Sequence, residues 1–113
     1  MDTKMNKPFV LWDKCEFHDL GKGVKRKILA YSNSIMHVEV HFEEGAVGAM
    51  HSHPHSQTTY VISGEFEFTI GDETRIVKSG DTMYDEPNVM HGCRCIKAGV
   101  LLDTFSPMRE DFV

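Results

Sequence analysis

Apolar and polar residues alternate along several short segments of this chain, which is the pattern of half-buried β-strands. Between Met36 and Glu43 every second side chain is apolar, and the pattern recurs from Glu65 to Ile70. Gly71-Asp72 then forms a turn signal that leads into Thr74–Lys78. The chain has no apolar stripe of helical period and useful length. The sequence therefore predicts an all-β protein.

The other strand candidates are also short, and Gly, Asn and Asp turn signals separate them, which favours a sandwich or a barrel. A chain of 113 residues has the size of one domain. We therefore expect a single domain over 1–113, with a barrel core at about 24–105. Ser106 as an N-cap and Pro107 at the first helical position predict a short helical turn near the end. The remaining strand candidates are Val24–Tyr31, Thr58–Ser63, Thr82–Tyr84, His91–Ile96 and Val100–Phe105.

Charge and composition exclude several classes of protein. The formal net charge is −5 and the basic cluster at 22–27 is short, so we expect no nucleic-acid partner. No stretch is long enough to span a bilayer, and Met1–Lys7 lacks the apolar core of a secretory signal. Cys15, Cys93 and Cys95 cannot all pair within one chain, so we expect reduced thiols in a cytoplasmic protein, without a metal-binding role.

A histidine-rich segment in the middle of the chain carries candidate metal ligands. His51 and His53 would point the same way if the segment is extended, since alternate residues of a strand share a face. Gln57 would return toward them, and His91 is a fourth candidate further along the chain. These nitrogen and oxygen donors together predict a mononuclear metal centre inside the barrel.

Three imidazoles and one amide would hold a divalent cation without adding negative charge. A Glu in place of Gln57 would lower the charge of the centre by one. The neutral set leaves the metal a stronger Lewis acid that attracts an anionic substrate better. Such donors suit several metals, so zinc, nickel, iron, copper and manganese all remain open. The alternative is a vestigial site, with polar residues in the barrel mouth and no metal.

Asp103 is a candidate for acid–base chemistry. Both faces of its strand are largely apolar, and a carboxylate on a buried face is costly unless it is paired or used. In a dry pocket its pKa would rise toward the range useful for proton transfer. The structural alternative is that Asp103 caps a turn or pairs with Arg75 or Arg94.

Two further residues have competing interpretations. Arg109 lies just past the last strand, and a guanidinium is a natural bidentate partner of a substrate carboxylate. Its alternative is a solvated charge paired with Glu110 or Asp111. His55 extends the histidine run, and it either lies beside the metal centre, contacts substrate or has no functional role.

The two histidine segments resemble the two conserved motifs of the cupins, in the same order. The first cupin motif usually has a Glu where this chain has Gln57, and the second usually has an Asn where Cys95 stands. A narrower resemblance extends over nearly the whole chain. The segments 19–27, 51–57 and 103–112 look like those of the pectin-degradation cupins of the KdgF type.

This resemblance implies a jelly-roll barrel and a small cytoplasmic, metal-dependent enzyme. Such an enzyme converts 4,5-unsaturated monouronates, released from pectin or alginate by lyases, into the linear 5-keto uronate. It implies a divalent metal as cofactor and a small uronate as substrate. The implied metal ligands are His51, His53, Gln57 and His91, and the implied catalytic residues are Asp103, Phe105 and Arg109.

One departure from the family pattern is visible. Asp85 and Glu86 stand where such cupins commonly have an apolar or proline-containing segment. We expect them to change the pocket rim or the substrate preference and to leave the ligands untouched.

Two other functions remain open on the sequence. One is a cupin-type iron or nickel dioxygenase, because open histidine-rich sites also support oxygen chemistry. The other is a sugar-binding cupin without catalytic activity. Small cupins usually pair through their amino-terminal strands, so in each case we expect a homodimer through the apolar segment Phe9–Trp12.

Overall fold

Eight β-strands account for most of the chain in the structure, a computed structural model that describes residues 8–113. Two short 3-10 turns, Trp12–Lys14 and Glu110–Phe112, flank the strands, and residues 8–113 contain no α-helix. The prediction of an all-β protein is confirmed. In chain order the strands are β1 (His18–Gly21), β2 (Val24–Tyr31), β3 (Met36–Phe42), β4 (Val47–His51), β5 (Ser56–Ile70), β6 (Glu73–Lys78), β7 (Thr82–Asp85) and β8 (His91–Ser106).

The strands form one antiparallel sheet that closes into a jelly-roll barrel. Its order is β1-β2-β3-β8-β5-β6, with β4 paired to β8 and β7 paired to β5. The long strands β5 and β8 are the central pair, and each takes part in both halves of the barrel. Their pairing shifts register around residues 61–66 of β5, where the sheet bends from one half into the other.

Two glycines allow the backbones of β5 and β8 to approach closely at this bend. Gly64 has a φ of +84°, and a Cβ on it would lie 2.6 Å from both Cα of Gly99 and the carbonyl oxygen of Lys97. A Cβ on Gly99 would collide in turn with the carbonyl oxygen of Ser63. The two backbones are therefore in direct contact, and neither position has room for a side chain.

The two long strands correct the predicted boundaries. The predicted strands 58–63 and 65–70 are halves of β5, and the predicted strands 91–96 and 100–105 are halves of β8. The glycines that suggested breaks mark bends within continuous strands. The prediction missed β1 and β4, and both are exposed along most of their length, so they lack the alternation that marks a half-buried strand.

The predicted helical turn begins later than expected. Ser106 is the last residue of β8 and pairs with Ser56 of β5, so it is held in the sheet and does not cap a helix. The 3-10 turn begins at Glu110, after Arg109, and has no side-chain cap. Strand pairing therefore overrode the local capping signal.

Two hydrophobic clusters fill the barrel. The larger lies at the Gly64 end and includes Phe42, Phe66 and Leu101. The smaller consists of Met36, Val38, Phe105 and Met108, and it supports the part of the barrel that carries the histidines.

Two expectations about the whole chain stay predictions. The segment Met1–Lys7 lies outside the described residues, so the expectation that it is not a signal has no structural counterpart. The extent of the single domain, 1–113, also stays a prediction. Within residues 8–113 no helix has the length and apolar character needed to cross a membrane.

Candidate metal centre

Three histidines converge at one end of the barrel. His51 ends β4, His91 begins β8 and His53 lies in the loop before β5. One ligand atom of each lies within 4.8 Å of those of the other two. His51 and His91 are paired across β4 and β8, and their ring centroids are 4.5 Å apart. The backbone NH of Asn88 donates to the carbonyl of His53 over 2.7 Å, which ties the loop to the segment before β8.

The local explanation offered for this convergence was wrong. His51 and His53 do not alternate on one strand, because β4 ends at His51. They meet because the loop folds back against the strand, and their ring centroids are 5.6 Å apart. His51 is exposed, while His53 and His91 are buried, so the cluster opens to solvent on the side of His51.

Backbone carbonyls orient all three rings in the same way. Each Nδ1 lies beside a carbonyl oxygen, which can only accept a hydrogen bond, so Nδ1 carries the proton. Each Nε2 therefore keeps a lone pair, which is the form of imidazole that binds a metal. The carbonyl partners are Ala49 at 2.8 Å for His51, His55 at 3.2 Å for His53 and Val89 at 3.0 Å for His91.

Gln57 lies beside His53 at the edge of the histidine cluster. Its Nε2 donates to Oγ1 of Thr59 over 3.1 Å, and its Oε1 lies 2.9 Å from Nε2 of His53. The hydroxyl proton of Thr59 goes to Asp103, so Thr59 must accept from Gln57, and this fixes the orientation of the amide. Oε1 of Gln57 and Nε2 of His53 are then two acceptors that face each other.

These observations fit a divalent metal ion. A cation between the Gln57 oxygen and the His53 nitrogen would offset the repulsion of these two acceptors. The buried Nε2 of His91 also has no hydrogen-bond partner among the described residues. His51, His53 and His91 could hold the ion, with the Gln57 oxygen as the fourth donor. Nitrogen and neutral oxygen donors suit several divalent metals, so the set does not select one.

The electrostatics of the cluster keep its buried histidines neutral. Burial lowers the pKa of His53, while the Gln57 oxygen, which would accept a hydrogen bond from the protonated ring, raises it, and the charge of Arg109 lowers it further. Burial also lowers the pKa of His91. Ligation requires a neutral imidazole, so both rings are in the required state at neutral pH.

Asp103 lies on β8, partly buried, and forms a hydrogen bond with Thr59. Oγ1 of Thr59 donates to Oδ1 of Asp103 over 2.7 Å. Burial raises the pKa of Asp103 to about 6, while the hydrogen bond from Thr59 acts in the opposite direction. The structural alternative is not observed, because Arg75 and Arg94 pair with glutamates instead. Gln57, Thr59 and Asp103 thus form one hydrogen-bonded chain that leads from the histidine cluster.

Arg109 is held close to the cluster by an ion pair and by aromatic rings. Its Nε and Nη2 donate to the two carboxylate oxygens of Asp111 over 3.1 and 2.9 Å. Its guanidinium carbon lies 5.1 Å from the ring centre of Phe105 and 4.4 Å from that of Phe112. The ion pair with Asp111 is therefore present, as one of the two interpretations of Arg109 expected. It also holds the guanidinium in place.

Phe105 forms a wall beneath the histidines. Its side chain is 3% exposed, and its ring centroid lies 5.6 Å from that of His53. It packs with the smaller hydrophobic cluster and supports both His53 and Arg109.

Asp85 lies inside the pocket, which the sequence did not anticipate. It is 0% exposed, and its Oδ2 lies 3.4 Å from Nε2 of His91. Burial raises its pKa to about 6. The expectation that it would lie at the rim and leave the ligands untouched was wrong, whereas Glu86 is indeed exposed. Period two in β7 was the available signal, since it places Asp85 on the same inward face as Met83.

His55 lies beside the cluster without joining it. Its ring centroid is 5.3 Å from that of His53, and it lines a cleft of about 340 Å³ with residues of the carboxy-terminal turn, among them Asp111. A larger cleft of about 680 Å³ lies around the β1–β2 hairpin and includes none of the three clustered histidines. Cavity size therefore does not mark the candidate site, and the donor atoms do.

Comparison with known proteins decides the family. The family model described as "Cupin domain" matches residues 38–105. The chain is a cupin. The matched segment contains all four residues of the proposed donor set.

This cupin is similar to proteins of pectin degradation. It is 47% identical over 103 residues to the pectin degradation protein KdgF of Dickeya dadantii (strain 3937), which covers 89% of this chain and 94% of the relative. The structure of KdgF from Halomonas sp. matches with a TM-score of 0.91 at 34% identity, over 96% of this cupin and all (100%) of that chain. An RmlC-like cupin from Shewanella frigidimarina NCIMB 400 matches with a TM-score of 0.94 at 39% identity, over 96% of this chain and 98% of that one. The resemblance seen in the sequence is confirmed.

Proposed function

We propose that this cupin converts 4,5-unsaturated monouronates from pectin or alginate into the linear 5-keto uronate, as a metal-dependent isomerase. The observation that carries the proposal is the hydrogen-bonded chain from Gln57 through Thr59 to Asp103. It connects a carboxylate suited to proton transfer with a cluster of metal donors, in a chain 47% identical to a pectin degradation protein.

The reaction needs only a proton relocation. The substrate is a cyclic hemiacetal whose ring oxygen also belongs to an enol ether. Loss of the anomeric hydroxyl proton opens the ring to an aldehyde and an enolate, and protonation at C4 turns the enolate into a ketone. Atoms and electrons balance within the substrate, so no oxidant or second substrate is required.

Asp103 is the proposed proton carrier. It would accept the proton of the anomeric hydroxyl and deliver a proton to C4. Its pKa of about 6 suits both steps, because the carboxyl changes protonation state easily near neutral pH. Thr59 fixes the carboxylate, and the rotamer of Asp103 is therefore set before substrate binds.

Arg109 and Phe105 would orient the substrate. A guanidinium has five N–H donors, and the two bonds to Asp111 leave others for the substrate carboxylate. Phe105 would close the pocket below the sugar ring and exclude water. When bound, the metal supplies a Lewis acid for the substrate's oxygen anions.

The decisive experiment follows 4,5-unsaturated galacturonate by NMR as it becomes the open-chain form. Native protein, chelator-stripped protein and a protein-free sample are compared, because the substrate also opens spontaneously. We expect an acceleration that is lost on stripping and returns with metal. A rate equal to the spontaneous one with metal-loaded protein would contradict the proposal and leave oxygen chemistry or sugar binding as the better functions.

Two variants separate the metal from the proton carrier. Asp103→Asn should lower turnover while the protein keeps its metal, since the side chain is not one of the proposed ligands. His51→Ala should lose both metal and turnover. Activity in a metal-free preparation of the His51 variant would exclude a metal-dependent reaction.

We further propose a cytoplasmic homodimer. The three cysteines are free, which supports a reducing compartment. Phe9 and Leu11 are 86% and 57% exposed, which supports an apolar contact between two copies. Light scattering after gel filtration should give twice the chain mass for the native protein and one chain mass for the double variant Phe9→Asp, Leu11→Asp. A monomeric native protein would contradict the dimer.

A further inference from the structure

Asp85 lies in an environment where an ionised carboxylate is energetically costly. Its side chain is 0% exposed, and neither carboxylate oxygen has a hydrogen-bond partner among residues 8–113. A buried carboxylate loses its hydration, and a buried charge with no partner is strongly destabilising. A positive charge beside the carboxylate would offset this cost.

Within the described part of the chain, the only ion-pair contact of Asp85 is with His91. That contact joins Oδ2 to Nε2 over 3.4 Å. Nδ1 of His91 lies 3.0 Å from the carbonyl of Val89 and carries the ring proton, so Nε2 has no proton to donate. The carboxylate therefore faces a lone pair.

The same mismatch occurs at Gln57, on the neighbouring strand. Asp85 and Gln57 are paired directly across β7 and β5, and both side chains are buried. Each presents an acceptor oxygen to Nε2 of a clustered histidine, Asp85 to His91 and Gln57 to His53. One cation among these atoms would offset the repulsion in both pairs of acceptors. Asp85 is not a member of the group of ligand atoms that lie within 4.8 Å of one another. Its carboxylate instead lies next to the cluster, on the side of His91.

We propose that Asp85 is the anionic member of the metal centre, where its carboxylate offsets one charge of the bound ion and raises its affinity. This inference rests on the proposed metal centre and not on the uronate reaction. It places one negative charge beside the neutral donor set that the sequence suggested.

Metal titration of chelator-stripped protein tests the proposal without any sugar. Asp85→Asn keeps the size and shape of the side chain and removes its charge. We expect this variant to bind zinc at least about tenfold more weakly than the native protein, because partners beside the ligands typically change affinity by 10–100-fold. Its metal-free form should melt at a higher temperature than the metal-free native protein, since the uncompensated buried charge is gone.

Asp103→Asn is the matched control. It makes the same chemical change at a second carboxyl whose pKa is also about 6, but that carboxyl is bonded to Thr59. We expect its zinc affinity to stay within about threefold of the native value. An Asp85 variant with native zinc affinity would overturn the proposal, and so would an equal loss in both variants, which would assign the effect to the net charge of the pocket.

The result is separable from the proposed activity. If zinc affinity falls in the Asp85 variant but the native protein does not accelerate uronate opening, Asp85 keeps its role and only the reaction fails. If the native protein binds neither zinc, nickel nor manganese, the inference about Asp85 fails together with the metal centre.

Discussion

Thr59 donates its hydroxyl proton to Asp103 over 2.7 Å, and the two residues are directly paired across β5 and β8. Thr59 is 1% exposed and also accepts from Gln57, so one buried hydroxyl connects a candidate metal ligand to the proposed proton carrier. Because strand pairing sets this contact, the geometry of Asp103 depends on the sheet and not on a mobile loop.

Thr59→Val should impair the proposed reaction without removing a ligand. The methyl group fills the space of the hydroxyl but removes its hydrogen bonds with Gln57 and Asp103, which should lower the free energy of unfolding by about 1–3 kcal/mol. We expect turnover to fall at least about tenfold, measured by the NMR assay alongside urea unfolding. Thr59→Ser retains the hydroxyl and should keep most of the turnover. Equal turnover in the Val and Ser variants would show that the hydrogen bond does not position Asp103.

The ion pair between Arg109 and Asp111 predicts a pH-dependent stability difference. The hydrogen bond from Arg109 lowers the pKa of Asp111 below its usual value of 3.8. A carboxyl with a depressed folded pKa stabilises the fold above its unfolded pKa, and this stabilisation is lost as the pH falls through the folded pKa. Asp111→Asn should therefore be less stable than the native protein at pH 7, by less than about 1 kcal/mol because the Asp111 carboxylate is largely exposed.

Urea unfolding of the native and Asp111→Asn proteins at several pH values measures this difference. It should be constant between pH 7 and pH 5 and shrink below about pH 4, as the native carboxyl takes up its proton. A difference that persists unchanged in acid would mean that the variant acts through packing and not through charge.

The candidate ligands could be found from sequence because they occur in two local motifs. His51, His53 and Gln57 lie within seven consecutive positions, and His91 follows in the second motif. Thr59 and Asp85 could not be found in the same way. The partner of Thr59 is 44 residues away, and the position of Asp85 beside His91 depends on how β7 and β8 are placed in the barrel.

The fold was predictable in class but not in the continuity of its strands. Alternation identified β3 almost to the residue, because its apolar face carries the buried side chains Met36, Val38 and Phe42. The predicted strand Val24–Tyr31 has the same bounds as β2. Gly64 and Gly99 lie between predicted strands, because an isolated glycine gives the same local signal for a break as for a bend. Only the close approach of the two backbones, a long-range contact, distinguishes the two.

The three thiols should differ in reactivity. Burial raises the pKa of Cys93 to about 12, and burial also raises that of Cys95, so both are protonated and unreactive at pH 8. Cys15 lies outside the barrel, in the amino-terminal segment. A dithionitrobenzoate titration at pH 8 should show one fast thiol in the native protein, none in Cys15→Ser and three in urea. A fast phase that survives in Cys15→Ser would contradict the shielding of the other two.

The close approach of β5 and β8 at Gly64 predicts unequal effects for two similar glycine substitutions. Gly45 and Gly64 have nearly the same φ, +83° and +84°, so alanine at either position incurs the same conformational cost of about 1–2 kcal/mol. A Cβ at Gly45 meets nothing within 4 Å, whereas one at Gly64 would lie 2.6 Å from the backbone of Gly99. Gly45→Ala should therefore fold, and its free energy of unfolding in urea should fall by that conformational cost alone. The free energy of unfolding of Gly64→Ala should fall by several kcal/mol more, or the variant should fail to fold, because the backbones of β5 and β8 must separate. Similar losses in the two variants would show that the barrel bend tolerates a side chain and that the two strands do not depend on their close contact.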